Sequence, residues 1–521
     1  MINALLWTPL AFGLLGLFMP WRLAGWWATL GAAATLAVAI ALLAGFDSGA
    51  AGLQDSVDVN WIPGLGVDYS LGIDGLNVFL VLLTSVLWTG ATAFAAFRDQ
   101  ERPHLFFLMM LLAETATLGA FVAQDLLLFV LFFDLMLVPF YFLFGAWGTD
   151  RAGGPTAAAA TLKMIVYTLI GSLLMLVGAI ATAIIAAHDG GQITFSIAEL
   201  AKHPVGDGSQ RWIFWFFAVA FLVKMPAFIL HGWMPDAYRA APLPVLAVFS
   251  GVLAKVGAYG FLRVVLPLFP AATVQFQEAV LVIALASILY GSVMAFTQTN
   301  VRLVGGYSSV AQLGFITAGI FALRADGADG AILQMVNHGL VVAPLFIIVA
   351  ILAERSGSED LREMGGMALR APVLAALFLI VTLATLAMPG SANFVGELYI
   401  LNGLFQAKIV FALVAITGVA MSAYYALRLY QRTMHNRKPE GMTARELSLG
   451  DGLVLAPLVL CILGLALYPQ LILHRTNRSA TQAVAATCSP IFAASSAARS
   501  SATDQCPGEN DARPYELTAN R

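Results

Sequence analysis

Apolar runs of about 20 residues, the length an α-helix needs to cross the hydrocarbon core of a bilayer, recur along most of this chain. In LFFDLMLVPFYFLFGAWG, residues 131–148, only Asp134 carries a charge. Such segments have no place on a water-exposed surface, so the expected class is an all-α polytopic membrane protein. Composition agrees. Hydrophobic residues make up 60% of the 521 and charged residues 11%, where a water-soluble domain carries about a quarter charged. About fourteen spans are expected, centred near residues 12, 34, 86, 113, 135, 170, 220, 253, 286, 313, 341, 381, 419 and 462. The amino terminus lacks the charged start and small-residue cleavage site of a signal peptide, so it reads as a retained first span.

Loop charges test that count. With the amino terminus outside, 14 Lys and Arg fall in loops on the cytoplasmic side, and only Lys202, Arg211, Arg324 and Lys408 in the opposite loops. The positive-inside rule predicts this asymmetry. Both termini are then non-cytoplasmic, with the bacterial inner membrane as the expected location. Residues 46–75 read as an acidic loop without Lys or Arg, and 476–521 as a disordered polar tail. Cys488 and Cys506 lie in that tail, either as a disulfide or as two free thiols, and Cys461 lies in an apolar run. No CxxC, zinc-type spacing or Lys/Arg-rich block occurs, which argues against a metal site, an iron–sulfur centre or a nucleic-acid partner.

Seven ionisable residues sit inside apolar runs: Glu114, Asp134, Lys163, Lys224, Lys255, His338 and Glu397. One acid at the centre of a membrane helix costs roughly 2.5–3.5 kcal/mol on insertion scales. A single such group reads equally well as half of a fixed structural ion pair. Seven on seven spans point instead to an ion pathway. Burial disfavours the charged form of any such group and an opposite charge favours it. A lysine moving between a carboxylate and a wet cavity therefore changes its proton affinity, as a relay requires.

Backbone breaks fall beside the same residues. Lys224 directly precedes Met225–Pro226, and Glu397 follows Met388–Pro389–Gly390. Proline inside a span frees a carbonyl, which is tolerated only where protein or water satisfies it. Paired broken spans with adjacent charges suggest inverted repeats. The expected organisation is an N-terminal three-helix segment (1–98), two five-helix repeats (99–268 and 269–432), a last helix (433–475) and the tail (476–521). Pro139, one turn after Asp134, reads as a simple kink.

The segments YSLGIDGLNVFLVLLT, LFFDLMLVPFYFLFGAWG, VKMPAFILHGWMPDAYRAAP, SGVLAKVGAYGFLR, GYSSVAQLGFI and MPGSANFVGELYILNGLF follow one another in order. Together they resemble the antiporter-like membrane subunits of respiratory complex I, over roughly residues 70–430. LVPFYFLFGAWG and PGSANFVGE resemble one branch of that family most. The resemblance implies a membrane-arm subunit beside L-like and N-like chains in a lipid bilayer. It further implies that NADH, FMN, iron–sulfur clusters and quinone are handled by partner subunits, with no cofactor in this chain. It places proton translocation on Asp134, Lys224, Lys255, His338 and Glu397, with Glu114, Lys163, His231 and Gln312 as supporting polar groups and Pro226, Pro389 and Gly390 as helix breaks.

On that reading, protons are taken up near Lys255, pass Lys224 and His338, and leave near Glu397, while Asp134 gates Lys224 electrostatically. One charge pair at about 4 Å is worth roughly 4 kcal/mol at an effective dielectric of about 20, against about 2.3 kcal/mol to move a proton through 100 mV. The chain also departs from the family's pattern. Asp134 stands where glutamate is usual and reaches one methylene less far, Gln312 stands where some relatives carry histidine, and Asn300 replaces an acid. MPDAYRAAP is similar to the D chain of multisubunit sodium/proton antiporters, which with membrane-bound hydrogenases supplies the alternative function. A purely structural spacer is the third.

Overall fold

The computed structural model describes residues 1–50, 52–150, 154–188, 192–436 and 445–495. The chain is mostly helical, and its apolar runs form the helices: α1 (Ile2–Gly16), α2 (Ala24–Ala44), α3 (Val78–Ala96), α4 (Pro103–Val122), α5 (Leu126–Trp147) and α6 (Ala157–His188). They continue with α7 (Asp207–Lys224), α8 (Met234–Ala240), α9 (Leu243–Leu268), α10 (Gln277–Thr297), α11 (Val301–Phe321) and α12 (Ala325–Ser356). The last are α13 (Pro372–Thr385), α14 (Ala392–Ala407), α15 (Ile409–Met434), α16 (Leu449–Leu467) and α17 (Gln470–Ser495). Among the described residues, eleven of these are long and apolar enough to cross a membrane. α1 and α13 are apolar but shorter. By length and apolarity alone the described helices account for eleven of the roughly fourteen expected spans, and α1, α7 and α13 fall short of those limits.

Side chains at the helix starts satisfy backbone amides that have no partner within the helix. Asp125 caps α5 by accepting from Leu127 and Leu128, each at 2.9 Å. Asn300 caps α11 by accepting from Arg302 at 3.0 Å and Leu303 at 3.3 Å, which gives this departure from the family's acid a structural role. Glu446 reaches from another loop to the start of α13, where its carboxylate accepts from Val373 at 3.0 Å and Leu374 at 3.2 Å. Partial burial raises the Glu446 pKa, but these amides and that of Leu447 outweigh it and hold the carboxyl below its ordinary value.

Burial sorts the helices into an inside and an outside. Every residue of α11 is buried, as is α12 from Gly327 to Leu352, so both are enclosed by the other helices. α6 is peripheral. Leu162, Val166, Leu169, Ile170, Leu173, Val177, Ile180 and Ile184 form an exposed apolar stripe at helical spacing that only hydrocarbon or another apolar surface can cover. Ion pairs tie helix ends together. Arg98, just past α3, meets Glu354 of α12 at 2.6 Å and Asp451 of α16 at 3.0 Å. At the opposite end Arg263 of α9 meets Asp74 at 2.5 Å.

Two regions differ from the sequence reading. The acidic loop contains an antiparallel hairpin, β1 (Gln54–Ile62) with β2 (Val67–Ile73). Its alternation in SVDVNWI and the PGLG turn were the available signals. Gly66 has φ +66°, and a Cβ there would lie 2.0 Å from the Ile193 carbonyl oxygen, so only glycine fits. The second difference is the tail, which is helical as far as Ser495. Ile472, Leu473, Thr476, Ala480, Ala483, Val484 and Thr487 recur at helical spacing and are buried, with α17 packed against α12 and α9. Residues 496–521 and the Cys488–Cys506 pairing lie outside the described residues.

Candidate functional site

The break after α7 sets the position of Lys224. Pro226 has no N–H, and Ala227 N–H instead donates to Leu222 O at 2.9 Å. The Trp233 indole donates to Val223 O at 3.1 Å, and Phe228 N–H to Ser287 Oγ at 2.9 Å. Ile229 takes φ +75°, a strained value for a β-branched residue that this bonding pattern holds in place. Lys224 is thereby left buried at the helix end, 5% exposed. Its Nζ has no hydrogen-bond partner and rests 4.4 Å from the centre of the Phe133 ring.

The expected Asp134–Lys224 ion pair is not made. Asp134 Oδ1 is also buried without a partner, as are both carboxylate oxygens of Glu114. The regular helical bonding of α5 is interrupted at Met136, two residues after Asp134, and resumes at Leu137. An unsatisfied buried polar group costs about 1–3 kcal/mol, and more when charged. A cavity of about 10 Å³ lined by Lys224, Pro226, Trp233, Tyr238 and Ala254 is near the lower limit for one water molecule.

Lys255 lies on α9 between two π-helical segments, Phe249–Leu253 and Phe261–Val265. π-segments leave carbonyls outside the regular ladder and recur at functional sites. Fully buried Lys255 donates from Nζ to Ser250 O at 2.8 Å, and Ser250 Oγ lies 3.2 Å from Ser309 Oγ on α11. Glycines permit this convergence. A Cβ on Gly257 would come within 2.8 Å of Phe221 O at the end of α7, and one on Gly339 within 2.7 Å of Gly251 O. The second contact seats α12, with buried His338, directly against α9. His338 Nδ1 has no partner.

The second break spans Leu386–Ser391, with Ala387 at φ +52° and Gly390 at φ +91°. Met388 N–H donates to Leu383 O at 3.1 Å just before Pro389, and Ser422 Oγ donates to Leu386 O at 3.4 Å. α14 then restarts and carries Glu397, 2% exposed, into the interior. Gln312 Nε2 donates to Glu397 Oε1 at 2.7 Å, and Gln334 Nε2 to Gln312 Oε1 at 2.7 Å. Glu397 Oε2 remains unpartnered. Gln312 thus cannot titrate but links α11, α12 and α14.

Four expected residues are therefore buried, Lys224 beside the first break and Lys255, His338 and Glu397 along α9, α12 and α14, while Asp134 is half-buried on α5 near Lys224. Lys163 does not join them. It points outward from α6 and pairs with Asp236 of α8 at 2.8 Å, its side chain 42% exposed. His231 sits half-buried in the first break, with Nε2 3.1 Å from the Tyr290 hydroxyl. The sequence reading missed Gln334, Asn337, Asn393, Ser250, Ser309 and the Ser308–Tyr425 bond of 3.1 Å. Gln334 and His338 are four apart on one helix, as are Ser308 and Gln312, and that spacing was the available signal.

Two broken helices in a polytopic bundle, each bringing a buried titratable residue to an enclosed polar cluster, define an antiporter-like ion-translocating fold. The family model described as NADH:quinone oxidoreductase/Mrp antiporter, TM, matches residues 123–422, and the chain belongs to that family. It is 36% identical over 460 residues to NADH-quinone oxidoreductase subunit M of Rhodobacter capsulatus, covering 87% of this chain and 88% of that one. Against subunit M of Escherichia coli (strain K12) it is 36% identical over 427 residues, covering 81% and 84%. Among solved structures, a chain of respiratory complex I from Thermus thermophilus with bound NADH superposes with TM-score 0.86 at 29% identity, covering 94% of this chain and all of that one. A chain of the Mrp complex from Dietzia sp. DQ12-45-1b shares the fold, with TM-score 0.80 at 22% identity.

Proposed function

We propose that this chain is the M-type, proton-translocating subunit of the membrane arm of an NADH:quinone oxidoreductase. NADH oxidation and quinone reduction take place in partner subunits, which hold the flavin, iron–sulfur clusters and quinone. The observation that carries the reading is the enclosed set of titratable groups with unsatisfied atoms: Asp134, Lys224, His338 and Glu397. Structural ion pairs would satisfy one another. Buried groups without fixed partners are free to move and to exchange protons with internal water.

In this mechanism Lys224 takes a proton on Nζ while the Asp134 carboxylate approaches it, and releases the proton when Asp134 withdraws. The separated, unpartnered arrangement corresponds to the withdrawn state. Water in the cavity beside Pro226 carries the proton toward the α9–α12 contact, where Lys255 and His338 exchange it, so that Lys224 comes before Lys255, the reverse of the order expected from the sequence. Glu397 receives it through Oε2, while the Gln334–Gln312–Glu397 bonds hold Oε1. The chain crosses the bacterial inner membrane fourteen times, counting α7 with α8 and α13 with α14 as single broken spans. α4–α9 and α10–α15 are then inverted repeats, both termini lie outside the cytoplasm, and L-like and N-like chains flank the subunit. An Mrp-type antiporter role is the second reading, supported by the shared fold; 36% identity to M subunits over most of both chains favours the first.

Lys224→Met and Glu397→Gln test this in inverted membrane vesicles. Each is expected to abolish NADH-driven proton uptake in an assembled complex. Uptake at the unmutated rate in both would sink the relay.

A further inference from the structure

Asp329 lies in the second turn of α12, 1% exposed, and belongs to neither group above. Its Oδ2 accepts from Asn477 Nδ2 of α17 at 2.5 Å, while its buried Oδ1 has no partner. One turn nearer the helix start, Asp326 Oδ2 accepts from Asn402 at 2.7 Å and Gln406 at 2.8 Å, both on α14, in a more exposed position. Going the other way along α12, polar residues continue at Gln334, Asn337 and His338. At 1.5 Å per residue the ladder from His338 to Asp326 spans about 18 Å, over half of a hydrocarbon core about 30 Å thick.

The packing of α12 on α14 fixes the levels. Asn337 donates to Ala392 O, a Cβ on Gly396 would lie 2.3 Å from Gln334 Oε1, and one on Gly330 would meet Ile400 N at 2.6 Å. The helices therefore run antiparallel, and Glu397 stands level with the Ile332–Leu333 turn. About four residues, or roughly 6 Å along the axis, separate it from Asp329. Along the axis, one or two waters suffice to span that offset. The helix start also carries the surface on which the hairpin and α17 lie, since Ser479 of α17 accepts from Gly75 N–H at 3.2 Å.

From this geometry we infer that Asp329, held by Asn477 of the terminal helix, is the outer carboxylate through which protons leave Glu397. The inference rests on the proton-relay reading. Glu397 gives up its proton through water and returns to the carboxylate. Asp329 accepts a proton on Oδ1, then releases one from that oxygen toward Asp326 and the outer solvent. No other bond changes, and Asn477 keeps its bond to Oδ2 throughout. α17 is then the wall that closes this outlet and orients its carboxylate.

The test uses the assembled complex in inverted vesicles, with assembly checked by native gel and NADH–ferricyanide activity. Asp329→Asn keeps an acceptor for Asn477 but cannot titrate. NADH-driven proton uptake is expected to fall several-fold, with Asp329→Glu restoring most of it. Asn477→Ala is expected to give a smaller loss. Lys224→Met runs alongside. If it abolishes uptake while Asp329→Asn matches wild type, the outlet is overturned and the relay stands; if neither changes uptake, both fall. Should Asp329→Asn fail to assemble, Asp329→Ser, which leaves room for a water, is read against the same two outcomes.

Discussion

Asp134 and Lys224 lie in neighbouring elements without forming an ion pair. One more methylene on Asp134 would carry its carboxylate about 1.25 Å further. The aspartate instead leaves Lys224 over the Phe133 ring with no acceptor. Asp134→Glu is expected to retain proton uptake and Asp134→Asn to lose most of it, both read as uptake per NADH oxidised in vesicles. Equal uptake in the asparagine variant would remove Asp134 from the mechanism. The charges themselves were legible one by one as interruptions of apolar runs. Their partners were not, because partner choice depends on which face each helix turns inward.

At the scale of elements, the two breaks set the positions of Lys224 and Glu397. Prolines mark them in the sequence, yet proline only removes a donor; it does not say where the freed carbonyl finds another. Trp233 does this for Val223 at 3.1 Å. Trp233→Phe keeps the ring and deletes the indole N–H, so it is expected to destabilise the break by about 1–3 kcal/mol. The check is a lowered unfolding temperature of the purified complex together with reduced proton uptake. The terminal helix is an element the sequence reading overlooked. Its buried positions are Ala, Thr and Val as well as Ile and Leu, a weak hydrophobic signal at correct helical spacing. Polar Ser, Gln and Asn on the other faces made the segment read as a tail.

For the whole molecule, α17 and Glu446 act as clamps outside the bundle. Truncation after Pro469 removes the burial of Ile472, Leu473 and Val484 and the Asn477 and Ser479 bonds. Each fully buried aliphatic side chain is worth about 1.5–3 kcal/mol, so the truncated subunit is expected to assemble poorly, seen as loss of intact complex on native gels. Glu446 gives a pH test. Its carboxyl is held below its ordinary value by the α13 amides, so its contribution is present above the ordinary carboxylate range and is lost as pH falls through the lowered folded value. Glu446→Gln is expected to lower thermal stability at neutral pH, with the difference from wild type closing in acid. A constant difference across pH would show that the charge is not what caps α13.

From the order of residues alone one reads where the chain enters hydrocarbon, where its helices break and which spans carry charge. Apolar length and proline act locally, within the residues that bear them. Only the tertiary structure decided which charges face one another. Lys163 and Lys224 both lie in apolar helices, yet one pairs with Asp236 at the surface and the other is enclosed. Lipid tails and a protein interior are equally apolar, so hydropathy cannot tell an inward face from an outward one. Close contacts such as Gly251 with Gly339 settle that orientation, and they exist only once the helices have packed.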